Sequence, residues 1–353
     1  MINLRFNYPS IEEEAIFFKS FLQSSLDQDV LLKQPDVLNE QDISLLANAL
    51  QIPDQTLLDT SIIHACNSGN AAIFNLLFAL QNDHPLLGVE EFTYSGFKSV
   101  ATRLGLSLKG IQCDDQGIMP SALEEAIAKG IRYLYLQPTI QNPSCSVMGE
   151  ERRRIIAYMV QKYKLIVIED DAYRFLHHDP PPTFLSLIPE NTIHIFSLSK
   201  PYNSFIKCCF IIQPEDVLPQ LAGIISDTGS FATSLSLMFS RFLLKNNMLF
   251  RLAHEKQRHA RNVQAMVRPL LEGLAHRSFP TGFHYWIKLP QNINSKECTN
   301  QLMARKIMVT GAHEYSVNGN NGYIRIALSA EKDLDQLKKA LTTIRELLLG
   351  GIR

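Results

Sequence analysis

The chain has 353 residues, 46% of them hydrophobic, so it can bury a large core and form at least two domains. A formal net charge of -1 argues against nucleic acid or an anionic membrane surface as a partner. The polar, acidic start and the lack of a long apolar run predict neither a signal peptide nor a membrane span. Six cysteines without CxxC spacing predict a reduced, cytoplasmic protein with no metal site.

Strand-like and helix-like runs alternate through the middle of the chain. An apolar strand at 61–66 leads into the polar turn 67–70 and an apolar helix. Later helices are predicted at 121–130, with Ser121 as N-cap, Glu124 completing a capping box and Gly130 at the end, and at 150–164, with its arginines on the solvent side. Buried strands are predicted in YLYLQ, KLIVIEDD, TIHIFSLSK and KCCFIIQ.

This alternation predicts an α/β fold with a mostly parallel central sheet sandwiched by helices. Ligands bind such sheets at the carboxyl ends of the strands. Unusual polar residues fall at those ends, namely Ser68 to Asn70, Asn142, Asp170, Tyr173, Ser197 and Lys200.

The pattern changes after about residue 234, where two helical runs precede the strands FHYWIKLP and YIRIAL and a closing helix at 332–349. This region predicts a smaller α+β domain. We therefore expect a large domain over 48–240 and a small domain formed by 1–47 together with 241–353.

Each of these polar residues has an ordinary interpretation when it is taken alone. A lysine such as Lys200 is usually exposed at a strand-to-loop junction, but in a buried site its pKa falls and it becomes a nucleophile toward carbonyls. Asp170 could cap a helix, bind a metal or pair with a cationic ring nitrogen. Ser68 and its neighbours suit a phosphate at a helix start, although serine is also an ordinary N-cap.

Taken together and in order, the motifs resemble the fold-type I enzymes that use pyridoxal 5'-phosphate (PLP), in the aspartate aminotransferase superfamily. The branch with aminoadipate/kynurenine aminotransferases and MocR regulators is the most similar. The resemblance runs from about residue 61 to the C-terminus. It implies a homodimeric PLP enzyme acting on an amino acid and a 2-oxo acid.

The resemblance implies catalytic roles for Lys200, Asp170 and Tyr173. Lys200, in SLSK, would hold PLP as a Schiff base and then move protons, while Asp170 would pair with the pyridine nitrogen. Tyr173 and Asn142 would bind the phenolic oxygen of the cofactor. Tyr94 would stack on its ring.

The resemblance also implies a phosphate site and a substrate site. The phosphate ligands would be Ser68, Gly69, Asn70, Ser197, Ser199 and Lys207. Arg325, in YIRIALS, would grip the substrate carboxylate through two hydrogen bonds, next to Asn142. Arg5, Phe6 and Tyr8 could approach the substrate or simply anchor the N-terminal segment.

The sequence departs from the family pattern at four places. Lys207 stands where the family has a phosphate-binding arginine. Pro201 follows Lys200, and Phe205-Ile206 replaces the glycine that usually comes just before the arginine position. QNPSCS lacks the glycine after its Asn-Pro-Ser. Lys33 or Gln34 occupies the position of a family tyrosine that reaches the phosphate bound by the partner subunit.

The enzyme-like part is also not preceded by a winged-helix segment. This argues against a MocR-type regulator.

Transamination is the favoured function, and two alternatives stay open. One is a different PLP reaction, such as a lyase or cyclase reaction, because the same residues serve all of them. The other is a PLP-binding protein that has lost activity, suggested by the departures around Lys207 and Asn142.

Overall fold

The computed structural model describes residues 1–25, 38–52, 61–83, 85–329, 331 and 333–350. Lys33 and Gln34 lie outside these ranges. Within them, no helix is both long enough and apolar enough to cross a bilayer. The N-terminal part contains β1 (Ile2–Asn3), α1 (Glu13–Ser25) and α2 (Glu40–Ala49).

The central part alternates strands and helices, as the sequence predicts. Its elements are β2 (Ser61–Cys66), α3 (Gly69–Leu80), β3 (Leu86–Glu90), α4 (Ser95–Arg103), β4 (Ser107–Ile111), β5 (Cys113–Asp114), β6 (Gly117–Ile118), α5 (Pro120–Ala128), β7 (Tyr133–Leu136), α6 (Glu150–Lys162), β8 (Ile166–Asp170), α7 (Phe184–Leu187), β9 (Thr192–Ser197), β10 (Cys209–Pro214) and α8 (Leu221–Asp227).

A seven-stranded sheet with the order β2-β10-β9-β8-β7-β3-β4 forms the centre of the molecule. Strand β10 runs opposite to the other six strands and pairs antiparallel with both β2 and β9. A short connection at 198–208 joins β9 to β10, and such a connection returns the chain antiparallel because a parallel neighbour needs a longer crossover. The carboxyl ends of β2, β3, β7, β8 and β9 therefore share one edge of the sheet.

The C-terminal part contains α9 (Ser234–Lys245), α10 (Met248–Val267), β11 (His276–Ser278), β12 (His284–Lys288), α11 (Ser295–Ala304), β13 (Ile307–Met308), β14 (Thr310–Gly311), β15 (Tyr323–Ala327) and α12 (Leu334–Leu349). A four-stranded antiparallel sheet, β11-β12-β15-β14, packs with α10, α11 and α12 around one apolar core.

Residues from the N-terminal part contact both of these regions. Strand β1 pairs in parallel with β13 of the C-terminal part. Phe17 and Phe21 of α1 and Leu46 of α2 instead share a core with Leu198 and Phe210 of the central part. The N-terminal part therefore contacts the C-terminal part through β1, and it contacts β10 and the loop before it through α1 and α2.

Two local predictions were wrong. Helix α5 begins at Pro120 with Met119 as N-cap and no side-chain cap, so Ser121 and Glu124 form no capping box. Proline suits the first helical position because its φ is already fixed near the helical value. Gly130 does follow the end of this helix, at a φ of +91° that favours glycine.

The second error concerns α6, whose arginines do not all face solvent. Arg153 is fully buried. Its guanidinium donates to the carbonyls of Met148, Pro138 and Pro182 and lies 3.6 Å from Glu169. These acceptors compensate for the lost hydration, so the charge is stable inside the protein.

We expect Arg153→Ala to lower the free energy of unfolding by about 3–5 kcal/mol, because it removes the positive charge beside buried Glu169 and leaves three carbonyls without their donor. Urea unfolding followed by circular dichroism measures this. Arg154→Ala is the matched control, since the Arg154 side chain is 62% exposed and its ion-pair partner among the described residues is Glu150 on the same helix. Equal losses of unfolding free energy in the two variants would contradict the buried, hydrogen-bonded position of Arg153.

Candidate active site

A cavity of about 410 Å³ lies at the carboxyl edge of the seven-stranded sheet. Residues 5–8 and β15 contribute to its walls. Every residue assigned to the site from sequence lines it, namely Ser68, Gly69, Asn70, Tyr94, Asn142, Asp170, Tyr173, Ser197, Ser199, Lys200, Lys207 and Arg325. In the described ranges, no group of three or more His, Cys, Asp or Glu side chains is arranged to hold a metal ion.

Lys200 lies just beyond the end of β9, in the connection to β10. Its Nζ donates to the carbonyl of Asn7 at 2.5 Å and lies 4.0 Å from the centre of the Tyr8 ring. Burial, together with the charges of Arg325 and Lys256, lowers the pKa of Lys200 to about 7 against the opposing effect of Asp170. A large fraction of this amine is therefore neutral, and so nucleophilic, near neutral pH.

A buried lysine from α10 supports the turn that carries Lys200. Lys256 donates to the carbonyl of Lys200 at 3.0 Å and to that of Tyr202 at 2.5 Å. It also pairs with Glu14 of α1 at 2.6 Å. The Tyr202 hydroxyl and the Asn203 amide both donate to Glu14, so the turn is held by hydrogen bonds along its length.

Asp170 ends β8 and is buried at the base of the cavity. Its Oδ2 accepts hydrogen bonds from Tyr135 at 2.7 Å and Gln137 at 2.9 Å. Burial raises the pKa of Asp170, while these two hydrogen bonds oppose the rise. Both side-chain donors reach Oδ2, so Oδ1 keeps acceptor capacity for a cationic partner.

The first turn of α3 lies beside Ser197, forming one end of the cavity. Ser68 caps the helix by accepting from the N–H of Ala71 at 3.2 Å. A Cβ added to Gly69 would lie 3.5 Å from Ser197, so the helix start and the end of β9 are in near contact. Exposed Lys207 adds a positive charge. Helix N–H groups, hydroxyls and an ammonium in one place suit a phosphate.

Arg325 of β15 is buried on the C-terminal side of the cavity. Its Nη1 donates to Asn142 Oδ1 at 2.8 Å, and its Nη2 donates to the Arg5 carbonyl. Its Nε is buried and has no hydrogen-bond partner within the described residues. An unpaired buried donor is costly, so this guanidinium has capacity for a further anionic acceptor.

Tyr94 precedes α4 and donates to Asn70 at 3.1 Å. Its ring lies over the first turn of the helix, where a Cβ on Gly96 would come within 2.5 Å of it. Glycine is needed there because any larger residue would displace the ring. Burial raises the pKa of Tyr94 to about 12.

Tyr173 also lines the cavity, with its hydroxyl 3.1 Å from the side-chain nitrogen of Asn7. That nitrogen is also 3.4 Å from Nδ1 of His284, a buried residue of β12. The N-terminal segment thus contacts Lys200 and Tyr173 through Asn7, and it contacts Arg325 through Arg5.

Several residues at the site were missed from sequence, namely Asn7, Tyr135, Gln137, Lys256 and His284. Gln137 follows β7 at the same sheet edge as Asp170, so its position offered a signal. Lys256 lies on the buried face of α10 between Leu252 and Ala260, where a lysine is unusual. No sequence signal identifies Asn7.

Comparison with known families supports the motif-based resemblance. The sequence model of the family described as "Aminotransferase class I and II" matches residues 42–344. An uncharacterized HTH-type transcriptional regulator, YdeF of Bacillus subtilis, is 30% identical over 297 residues, covering 82% of this chain and 64% of that protein. The mitochondrial kynurenine/alpha-aminoadipate aminotransferase of Bos taurus is 28% identical over 262 residues, covering 67% and 60%. The chain thus spans about three fifths of these relatives.

Solved structures agree on the fold. A Pyrococcus horikoshii kynurenine aminotransferase superposes with a TM-score of 0.86 at 16% identity, covering 100% of this chain and 92% of that one. An α-aminoadipate aminotransferase of Thermus thermophilus, complexed with N-(5'-phosphopyridoxyl)-L-leucine, gives 0.82 at 18%, covering 99% and 92%. The predicted fold-type I α/β architecture is confirmed.

We expect the reactivity of Lys200 in the cofactor-free protein to rise with pH around a midpoint near 7, because the ammonium is unreactive below its pKa and the neutral amine reacts above it. Competitive acetylation with mass spectrometry measures the midpoint, with an unstructured lysine peptide (pKa about 10.4) as reference. Arg325→Met should raise the midpoint by removing a neighbouring positive charge, whereas exposed Arg305→Met should not. A Lys200 midpoint near that of the peptide would refute this.

Proposed function

Because the chain belongs to the class I and II aminotransferase family, we propose that it is a PLP-dependent aminotransferase moving an amino group from an amino acid to a 2-oxo acid. The observation that carries the proposal is the position of Lys200. Its amine, with a pKa of about 7, lines one cavity with a buried carboxylate, Asp170, and a buried guanidinium, Arg325.

The residues around the cavity fit PLP. The start of α3 with Ser197, Ser199 and Lys207 would hold its phosphate. Asp170 would pair with the ring nitrogen, supported by Tyr135 and Gln137 on its other oxygen. When bound, PLP supplies an electron sink that stabilises negative charge at the substrate Cα.

Tyr94 and Ala172 would lie against the two faces of the ring, while Asn142 and Tyr173 would donate to its phenolic oxygen. Arg325 already donates to Asn142 Oδ1, which directs the two amide hydrogens of Asn142 away from the guanidinium. Lys207 in place of an arginine keeps the charge at the phosphate but offers no bidentate fork.

Lys200 would act as general base and general acid at the substrate Cα. A group with a pKa near the working pH is both a competent proton acceptor and a competent donor. Burial tunes the amine to that range, with the charges of Arg325 and Lys256 adding to the effect. The hydrogen bonds from Lys256 to the turn would keep the amine directed into the cavity.

Arg325 would bind the substrate carboxylate. A carboxylate would satisfy Nε, which is buried and unpartnered in the described structure, together with Nη2. At Nη2 it would replace the Arg5 carbonyl as acceptor. Binding therefore requires residues near Arg5 to shift, which would couple the N-terminal segment to the presence of substrate.

A panel of amino donors, each assayed with 2-oxoglutarate and pyruvate, tests the proposal. We expect oxo-acid-dependent turnover that Lys200→Ala abolishes, and an increase in donor KM of roughly 10- to 100-fold in Arg325→Lys, since the bidentate contact is lost. Arg345→Lys, in α12 and outside the lining of the cavity, is the control.

The same panel separates the alternatives. Release of ammonia or pyruvate without an oxo acid would favour a lyase. A PLP absorption band with no turnover would favour a PLP-binding protein without catalytic activity. This is the second candidate function because the chain is similar to a protein named as a transcriptional regulator.

We also propose that the protein is a cytoplasmic homodimer. All six cysteines are unpaired, which suits a reducing compartment. Phe74 and Phe78 are 37% and 42% exposed, and their rings stack 5.9 Å apart on α3, the helix that starts at the cavity. A pair of exposed stacked aromatic rings suits a protein interface.

Light scattering should give the mass of two chains. We expect Phe74→Glu/Phe78→Glu to shift the protein toward one chain, because it places charges in an apolar contact. Ile155→Glu/Tyr158→Glu, also exposed but on α6, should leave the mass unchanged. A wild-type monomer that turns over substrate would refute the dimer.

A further inference from the structure

Asn7 is buried although its neighbours in the chain are not. Its exposed fraction is 3%, against 54% for Phe6 and 44% for Tyr8. Burying a polar side chain is costly unless its hydrogen bonds are satisfied. All the hydrogen-bonding atoms of the Asn7 side chain have partners, and those partners determine its orientation.

The side-chain oxygen of Asn7 accepts from the Ser329 hydroxyl at 2.8 Å. The side-chain nitrogen then lies toward Tyr173 and His284, at 3.1 Å and 3.4 Å. An amide nitrogen carries two hydrogens, so one is available for each of these acceptors.

The His284 ring carries its N–H hydrogen on one defined nitrogen. Its Nε2 is 3.3 Å from the carbonyl oxygen of Gln141, which can only accept, so Nε2 carries the hydrogen and Nδ1 is an acceptor. Burial, with the nearby charge of Arg325, lowers the pKa of His284 to about 3, so the ring is neutral. A neutral ring with this tautomer can receive a hydrogen from Asn7 but cannot return one.

Tyr173 Oη is therefore an acceptor toward Asn7. Its own hydrogen must be donated elsewhere, and Tyr173 lines the cavity. We propose that Asn7, held by Ser329 and His284, is a positioning residue that makes the Tyr173 hydroxyl a donor into the cavity, toward the phenolic oxygen of the cofactor. This inference rests on the proposed function.

Arg325 orients Asn142 in a comparable way. Its Nη1 donates to Asn142 Oδ1, so the Asn142 nitrogen is the end left to donate elsewhere. Asn7 donates to the Tyr173 hydroxyl oxygen and Arg325 donates to Asn142 Oδ1. The hydroxyl hydrogen of Tyr173 and the amide hydrogens of Asn142 are then left to donate into the cavity. Both donors would then point at the phenolic oxygen of the cofactor, which carries negative charge. Because they are already oriented, no reorganisation of the protein is needed when that charge develops.

The test measures the absorption of the PLP-loaded protein as a function of pH. The band of the lysine-linked cofactor shifts when the cofactor loses a proton. A hydrogen bond donated to the phenolic oxygen favours the form with more negative charge there, so loss of the donor raises the midpoint. We expect Tyr173→Phe to raise it by roughly one pH unit or more.

Asn7→Ala should raise the midpoint in the same direction, since Tyr173 loses the donor that fixes its hydrogen. Adding Asn7→Ala to Tyr173→Phe should produce no further rise, because the two act on one hydrogen bond. Asn7→Asp keeps the volume of the side chain and removes its donors. It should raise the midpoint more with Tyr173 present than in the Tyr173→Phe background.

Asn3→Ala is the matched control in the same segment. Within the described part of the chain its side chain accepts from the N–H of Arg5 and does not line the cavity, so the midpoint should stay at the wild-type value. The inference is overturned if Tyr173→Phe shifts the midpoint but both Asn7 variants leave it unchanged, or if the shifts are fully additive. Absence of any band that Lys200→Ala removes would overturn the proposed function as well.

Discussion

The buried ion pair between Lys256 and Glu14 is the interaction on which the site depends. It joins α10, α1 and the connection between β9 and β10, which come from three separate parts of the chain. An unpaired buried charge would cost several kcal/mol, so each partner requires the other. Lys256 also donates to the carbonyl of Lys200, so the same pair that connects these elements supports the turn carrying the reactive amine.

The electrostatics of the cavity follow from this arrangement. Lys200, Lys256 and Arg325 place three cationic side chains at or next to the cavity, and Asp170 provides a carboxylate at its base. Burial, and then repulsion by the other two cations, disfavours the protonated form of Lys200. Of the three, Lys200 alone has neither a carboxylate nor a side-chain acceptor among its hydrogen bonds in the described structure. A cavity with surplus positive charge suits a ligand with a phosphate and a carboxylate.

The N-terminal segment takes part in the site more than its length suggests. The Arg5 carbonyl accepts from Arg325, the Asn7 carbonyl accepts from Lys200, and the Tyr8 ring covers the amine. Main-chain carbonyls thus accept hydrogen bonds from both Lys200 and Arg325. Because β1 pairs with β13, the segment is held from the C-terminal part while it contacts the edge of the central sheet.

The sequence by itself determined the alternation of strands and helices, the sheet edge at which the polar residues meet, and twelve of the residues that line the cavity. Periodicity and motif order carry that information because they depend on neighbours along the chain. Only the tertiary structure decided that Arg153 is buried and that Lys256, His284 and Asn7 belong near the site. Their partners lie far away in sequence, so their burial depends on contacts that no local pattern encodes.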